Sequence, residues 1–381
     1  PVRSSSVGNS ACNRMAQVAP KSLASGPQAL SAKSLTRALA GRHLTRKELM
    51  RCVLASTTTY ATKSVDKPQD AKHAIDSNEW DAWKKLSGAE LEARVKEVVL
   101  PCKTAAKNTS WYGICSMSRD FPDISLVEHL DTDHCNTIKG MFFNYNIDGC
   151  CSVWREGNIV LVAWRGTDTF SDAIVDMTIW KTKFTTNRNE MKKAWCTFFG
   201  RFTKSCLVHK GFLEQYLCSD ISARVNALVA KLLEEIGPEA QLHVTGHSLG
   251  GALANLSAFE LADVHPTTPI LLLTMGAPRV GNPNFAKSLE AKPNVRAYRL
   301  QNGMDVVSRI PMMCYQHAGT HIWIRMNSVR VPENRPGYTP FLAKLPPIRF
   351  WGACWSIPEH KTHSYIRKLE KYRWAKGWEA G

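Results

Sequence analysis

At 381 residues and 44% hydrophobic content, the chain can bury a sizeable core, as one large domain or two. No run approaches the ~20 consecutive apolar residues of a transmembrane helix; the strongest is Ile159 to Trp164. The formal net charge of +16 raises nucleic acid or anionic lipid as partners, but residues 1–65 hold ten Lys/Arg against one acid, Glu48. The mildly basic remainder has no zinc-finger spacing and no basic–aromatic RNA signature, so nucleic-acid binding is not expected. None of the 12 cysteines falls in a C-x-x-C pair, which argues against a zinc site or a small disulfide scaffold. The adjacent Cys150 and Cys151, near a strand, are expected to be buried.

The first 65 residues are rich in Ser, Ala, Thr and Arg, and Leu35, Leu39, Leu44 and Leu49 line one side of an Arg-bearing amphipathic helix. This composition resembles an organelle transit peptide, compatible with a plastid or mitochondrial address, and equally a disordered basic tail. Either way, the segment is expected to stand outside the fold, with the folded domain over 66–381. A linker rich in Lys and Asp leads to a helix expected from about Asn78 to Val99, closed by Pro101. The stretch from Pro101 to Thr137 carries turn residues and scattered apolar positions and yields no assignment.

Beyond it, strand-like and helix-like blocks alternate. Ile159–Trp164 is a continuous apolar run, as in a strand buried on both faces. Ile221–Ile236 has helical periodicity, Gln241–Val244 is a short strand, and Leu249–Val264 is a helix rich in Ala and Leu. Ile270–Thr274 is again a strand, Asn284–Ala291 a helix, and Val295–Leu300 a strand. This order predicts an α/β fold: a mostly parallel central sheet with helices on both faces.

Gly246-His247-Ser248-Leu249-Gly250 fits G-x-S-x-G between a predicted strand and a predicted helix, the context of a nucleophile elbow. The turn strains the serine backbone, so residues two positions away must be very small, and Gly246 and Gly250 are. The helix beginning beside Ser248 favours developing negative charge, and the Leu249 N–H is placed as an oxyanion donor. On such a fold an acid and then a histidine follow the serine in the chain. Only Asp263 and Asp305 follow Ser248 as aspartates; Asp263 lies in the next helix, too near in sequence, whereas Asp305 closes the loop after Val295–Leu300. Downstream histidines are His317, His321, His360 and His363. The first two also have the i,i+4 spacing of a metal pair, without an evident third ligand. His360 and His363 lie in a loop ahead of the helical Tyr365–Tyr372, from which an imidazole can reach the serine.

Four further motifs accompany the elbow. They are Ile159 to Thr167, ending in R-G-T; Val208-His209-Lys210-Gly211-Phe212; Thr274 to Asn282, reading T-M-G-A-P-R-V-G-N; and Arg299 to Pro311 around Asp305. In this order they resemble the class 3 lipase family (fungal triacylglycerol lipases and plant acylhydrolases) over roughly residues 140–370. The resemblance implies the α/β-hydrolase fold, a second oxyanion donor at the Thr167 N–H, and a lid after Thr167. Phe170, Ile174, Met177 and Trp180 fall there at helical spacing. It also favours His360, with Tyr365 five residues on, over His363 as the catalytic histidine. Two departures stand out: His321 replaces the family's Glu in G-x-E-x-W, and Trp164 stands where Phe is usual.

The resemblance further implies a carboxylic ester hydrolase acting on lipid esters at a membrane or droplet surface, through an acyl-enzyme on Ser248. A soluble carboxyl or feruloyl esterase shares the chemistry, and an inactive hydrolase-fold interaction protein shares only the fold. Ser/His/Asp acyl transfer needs no metal and no cofactor, and none is implied. Oligomeric state leaves no trace in the sequence.

Overall fold

The apolar runs form the middle of a nine-stranded sheet in the computed structural model. It describes residues 43–62, 75–86, 89–91, 93–94, 107–132, 135–139, 144–147, 150–166, 181–186, 205–311, 314–325, 328–330, 358–371 and 373–374. The strands lie side by side in chain order: β1 (Ser125–Asp131), β2 (Cys150–Glu156), β3 (Ile159–Trp164), β4 (Gln241–His247), β5 (Ile270–Met275), β6 (Val295–Asn302), β7 (Thr320–Arg325), β8 (Ser328–Arg330) and β9 (Arg373–Trp374). β3 to β7 are mutually parallel. β1 and β2 extend one edge antiparallel, while β8 runs antiparallel to β7 and pairs in parallel with β9.

The helices before β4 are α1 (Arg46–Thr58), α2 (Ser77–Trp83), α3 (Lys107–Asp120), α4 (Lys210–Tyr216) and α5 (Ile221–Ile236). After it come α6 (Leu249–Val264), α7 (Pro283–Glu290) and α8 (Thr362–Lys371). Strands added in sequence order, with crossovers of one hand, deliver the connecting helices to a single face. α4, α5, α6 and α7 accordingly cover the face that carries Val160, Val162, Leu242, Val244 and Leu272. The opposite face, with Leu161, Ala163, Leu271, Leu273 and Leu300, must be covered by chain from outside that run. α1, α3 and α8 cover it through Leu49, Val53, Leu54, Ile114, Ile366 and Leu369.

This corrects the domain boundary expected after residue 65. α1 lies inside the basic segment, yet Leu49, Cys52, Val53 and Leu54 are fully buried against the sheet. Its two buried charges are partnered: Arg51 Nε lies 2.5 Å from Glu156 Oε2, and Arg296 Nη2 lies 2.8 Å from Glu48 Oε1. The helix is opened by Thr45, whose hydroxyl accepts the Glu48 N–H while the Glu48 carboxylate accepts the Thr45 N–H. Residues 1–42, with Leu35 and Leu39 and the transit-peptide expectation, lie outside the described residues, as does the expected lid over 168–180.

The seam that α1 and the 3-10 turn continuing it (Thr59–Ala61) make with β4 has a regular register. Cys52 Sγ meets His243 Nδ1 at 4.0 Å, Ser56 Oγ meets Thr245 Oγ1 at 2.7 Å, and Tyr60 Oη meets His247 Nδ1 at 3.0 Å. Four helical residues advance about 6 Å and two strand residues about 6.6 Å, so every fourth helix position finds every second strand position. The polar residues of β4 thus face α1, and its apolar Leu242 and Val244 face α5 and α6.

Other expectations fare variously. The helix expected over Asn78–Val99 begins at Ser77 behind an Asp76/Glu79 capping box but closes at Trp83, with short helical pieces at 89–91 and 93–94. The unassigned stretch after Pro101 contains α3 and β1. Cys150 and Cys151 are buried. Among the described residues no helix is long and apolar enough to cross a membrane.

Candidate active site

The elbow forms where β4 runs into α6. Ser248 takes φ 58° and ψ −128°, a backbone conformation that non-glycine residues rarely adopt. The turn is possible only because its flanks lack Cβ atoms. A Cβ on Gly246 would lie 2.2 Å from Gly250 O, and one on Gly250 would lie 2.1 Å from Trp164 O. Ser248 is 7% exposed, and its N–H donates to Met275 O at 2.9 Å, tying the elbow to the end of β5. Leu249 is the first residue of α6, where backbone N–H groups have no intrahelical acceptor. The end of β3 closes in from the other side: a Cβ on Gly166 would stand 3.2 Å from Ser248 Cβ and 2.7 Å from His247 O. Thr167, the next residue and the expected second donor, lies outside the described residues.

Asp305 is fully buried in the loop that follows β6. Its carboxylate receives four contacts. His360 Nδ1 lies 3.0 Å from Oδ1 and 2.9 Å from Oδ2, Tyr365 Oη donates to Oδ2 at 2.6 Å, and the Val307 N–H donates to Oδ1 at 2.9 Å. Burial, reinforced by the Asp305 charge, pushes the Tyr365 phenol well above its usual range, so it stays a donor. Gly276, directly after Met275, has φ 60°, and a Cβ there would lie 2.8 Å from Asp305 Oδ2 and 3.1 Å from His360 Nδ1. The Asp305–His360 pair therefore packs on the residue next to the carbonyl that receives the Ser248 N–H.

The segment carrying His360 is fastened to the Asp305 loop by Asn302, at the end of β6. Asn302 Nδ2 donates to Glu359 O at 2.7 Å and to Ser364 Oγ at 3.0 Å, and its N–H donates to Tyr365 Oη at 3.1 Å. The Met304 N–H donates to the Glu359 carboxylate at 2.5 Å. His363, three residues on, is only half-buried, and its Nδ1 has no hydrogen-bond partner among the described residues. The structure thus brings Ser248, Leu249, Asp305 and His360 to one end of the parallel strands, and it is His360 rather than His363 that meets the carboxylate.

The remaining candidates sit elsewhere. Asp263 is at the surface on Lys292, 2.5 Å away. His317 Nε2 lies 2.7 Å from Ser308 O, and His321 stands beside Arg299 in the β6–β7 register. Among the described residues no cluster of three or more His, Cys, Asp or Glu is arranged to hold a metal ion. His247 escapes sequence reasoning as a functional residue, since a histidine between the glycine and serine of the elbow reads as a spacer. Its Nε2 lies 2.7 Å from His360 O.

A sheet with five parallel central strands, helices on both faces and a strained serine between β4 and α6 defines the α/β-hydrolase fold. Residues 161–315 match the family model described as lipase (class 3). It is similar to phospholipase A1-II 1 of Oryza sativa subsp. indica, 32% identical over 177 residues that make up 43% of this chain and 42% of the rice protein. It is also similar to secreted mono- and diacylglycerol lipase 1 of Fusarium solani, 30% identical over 210 residues, 52% of this chain and 61% of the fungal protein. Among solved structures, lipase II from Rhizopus niveus aligns with a TM-score of 0.48 at 22% identity, covering 70% of this chain and 89% of that one. The chain spans less than half the length of the rice relative and under two thirds of the Fusarium protein.

Proposed function

We propose that the chain is a serine ester hydrolase acting on glycerolipid esters. Ser248 Oγ attacks the acyl carbonyl carbon while His360 Nε2 takes the hydroxyl proton, and Asp305 holds Nδ1 and stabilises the imidazolium. The carbonyl oxygen becomes an oxyanion, received by the N–H groups of Leu249 and Thr167. His360 then gives the proton to the leaving alcohol as the C–O bond breaks, which leaves an acyl group on Ser248. A water molecule deprotonated by His360 attacks this acyl-enzyme, releases the carboxylic acid and restores the serine. The observation that carries the proposal is the buried Asp305–His360 pair, packed one residue beyond the acceptor of the Ser248 N–H.

The names of the relatives, a phospholipase A1 and a mono- and diacylglycerol lipase, support glycerolipid esters as the substrate class. The net charge of +16 favours anionic lipid surfaces. The test compares the full chain with Ser248→Ala on p-nitrophenyl esters and on emulsified triacylglycerol and phospholipid, below and above the solubility limit. Activity abolished by the substitution and rising on emulsions is the expected result. Turnover of soluble esters without that rise would replace the lipase by a soluble carboxyl or feruloyl esterase. No turnover by a folded chain would leave an interaction protein.

A further inference from the structure

The α1–β4 seam does not stop at structural contacts. Its last rung, Tyr60 to His247, sits against the elbow, and the Tyr60 hydroxyl lies where a Cβ on Gly166 would come within 2.4 Å of it. His247 reaches from this rung to the backbone of the next functional residue, with Nε2 2.7 Å from His360 O. A carbonyl only accepts, so Nε2 carries the proton and Nδ1 accepts from the Tyr60 hydroxyl. Burial, reinforced by the neighbouring His360, holds the His247 imidazole well below its ordinary pKa, which keeps it in this neutral form. The His247 and His360 rings lie 4.5 Å apart, tilted by 33°.

From this chain of contacts we infer that Tyr60 and His247 are positioning residues that set the backbone of His360 relative to Ser248. The inference rests on the hydrolase function proposed above and adds a role for the N-terminal segment. Asp305 fixes the His360 ring from one side through Nδ1, and Asn302 holds the preceding Glu359 carbonyl, which leaves the His360 carbonyl itself to turn. His247 removes that freedom: it neighbours Ser248 in sequence and binds the carbonyl of the base. Tyr60 in turn fixes the tautomer and tilt of His247. A helix that composition sets aside as a leader thereby reaches within two hydrogen bonds of the catalytic histidine.

The test uses the full chain with Tyr60→Phe, His247→Leu and His247→Gln, read by kcat and KM on a soluble p-nitrophenyl ester and by the rate of fluorophosphonate labelling. Tyr60→Phe keeps the ring and the fold. His247→Gln keeps an N–H at the length of Nε2, whereas His247→Leu removes it. The expected result is a fall in kcat and labelling rate of roughly ten- to a hundredfold for His247→Leu, with KM little changed. Tyr60→Phe shows a smaller fall of the same kind, and His247→Gln recovers most of the loss. Unchanged kcat in Tyr60→Phe, a loss confined to KM, or a glutamine variant no better than leucine would overturn the inference while leaving the hydrolase function intact. A parent chain that neither turns over ester nor takes the label would remove the hydrolase function, and this inference with it.

Discussion

A chain that starts at residue 66, the boundary that composition suggests, is predicted not to fold. Truncation there removes α1, whose Leu49, Val53 and Leu54 are fully buried against the face carrying Leu161, Leu271 and Leu273. Each such side chain contributes about 1.5–3 kcal/mol by leaving water, so the three together contribute roughly 5–9 kcal/mol. Even halved for a compact unfolded chain, that is a large part of the ~5–15 kcal/mol that stabilises a whole domain. The lost ion pairs add little, because Glu156 and Arg296 regain water when the helix is gone. The assay compares the 381-residue chain with residues 66–381 by near-ultraviolet circular dichroism and thermal melting. The longer chain should melt cooperatively, and the shorter one should lack tertiary signal or aggregate. A soluble 66–381 fragment melting within about 5 °C of the full chain would refute the placement of α1 in the core.

The elbow and the buried histidines each carry a prediction of their own. Gly250→Ala drives a methyl into the Trp164 carbonyl, and backbone cannot yield there, so stability should fall by about 1–3 kcal/mol or more and activity should be lost. Gly157→Ala, at φ 56° with open space around it, should cost only about 1–2 kcal/mol in urea unfolding and leave turnover unchanged; equal effects from the two substitutions would contradict this geometry. Burial, with help from Arg165, depresses the His129 pKa to about 3, and burial holds His247, His317 and His321 well below the ordinary value. These groups are neutral when folded and titrate near ~6.5 when unfolded, so their stabilisation is complete above that pH. It is lost as pH falls below about 6.5, for His129 down to about 3, by about 1.4 kcal/mol per pH unit for each proton that only the unfolded chain binds. Melting temperatures should therefore be level above about pH 7 and drop steeply below about 6, with a shallower drop in His129→Gln; equal values at about pH 7.5 and 5 would count against neutral burial.

Legibility from residues alone divides along the two faces of the sheet. β3 to β6 and α5 to α7 announce themselves because each buries a continuous or periodic apolar pattern bounded by Gly, Pro or Asn. The elbow is legible because steric demand leaves only glycine at Gly246 and Gly250. α1 is not, because its burial relies on partners 105 and 248 residues away, Glu156 for Arg51 and Arg296 for Glu48. Two local signals are nevertheless present. Thr45 and Glu48 have capping-box spacing, and Cys52, Ser56 and Tyr60 recur every fourth residue against the alternating His243, Thr245 and His247. α3 escapes for a different reason: its residues are middling helix formers, and its place is set by packing, with Gly113 allowing close approach to Thr57 and Thr58. The choice of His360 over His363 rests in the sequence on a resemblance, and the pairing with Asp305 gives that choice a geometric basis.

The most direct measurement is fluorophosphonate labelling of the full chain, with the modified peptide identified by mass spectrometry, alongside Ser248→Ala, Asp305→Asn and His360→Gln. Stoichiometric phosphonylation at Ser248 is predicted, absent in Ser248→Ala and slowed by several orders of magnitude in the other two, while His363→Gln labels at the parental rate. Labelling at another residue, or parental rates in Asp305→Asn and His360→Gln, would contradict a nucleophile at Ser248 activated by the buried Asp305–His360 pair.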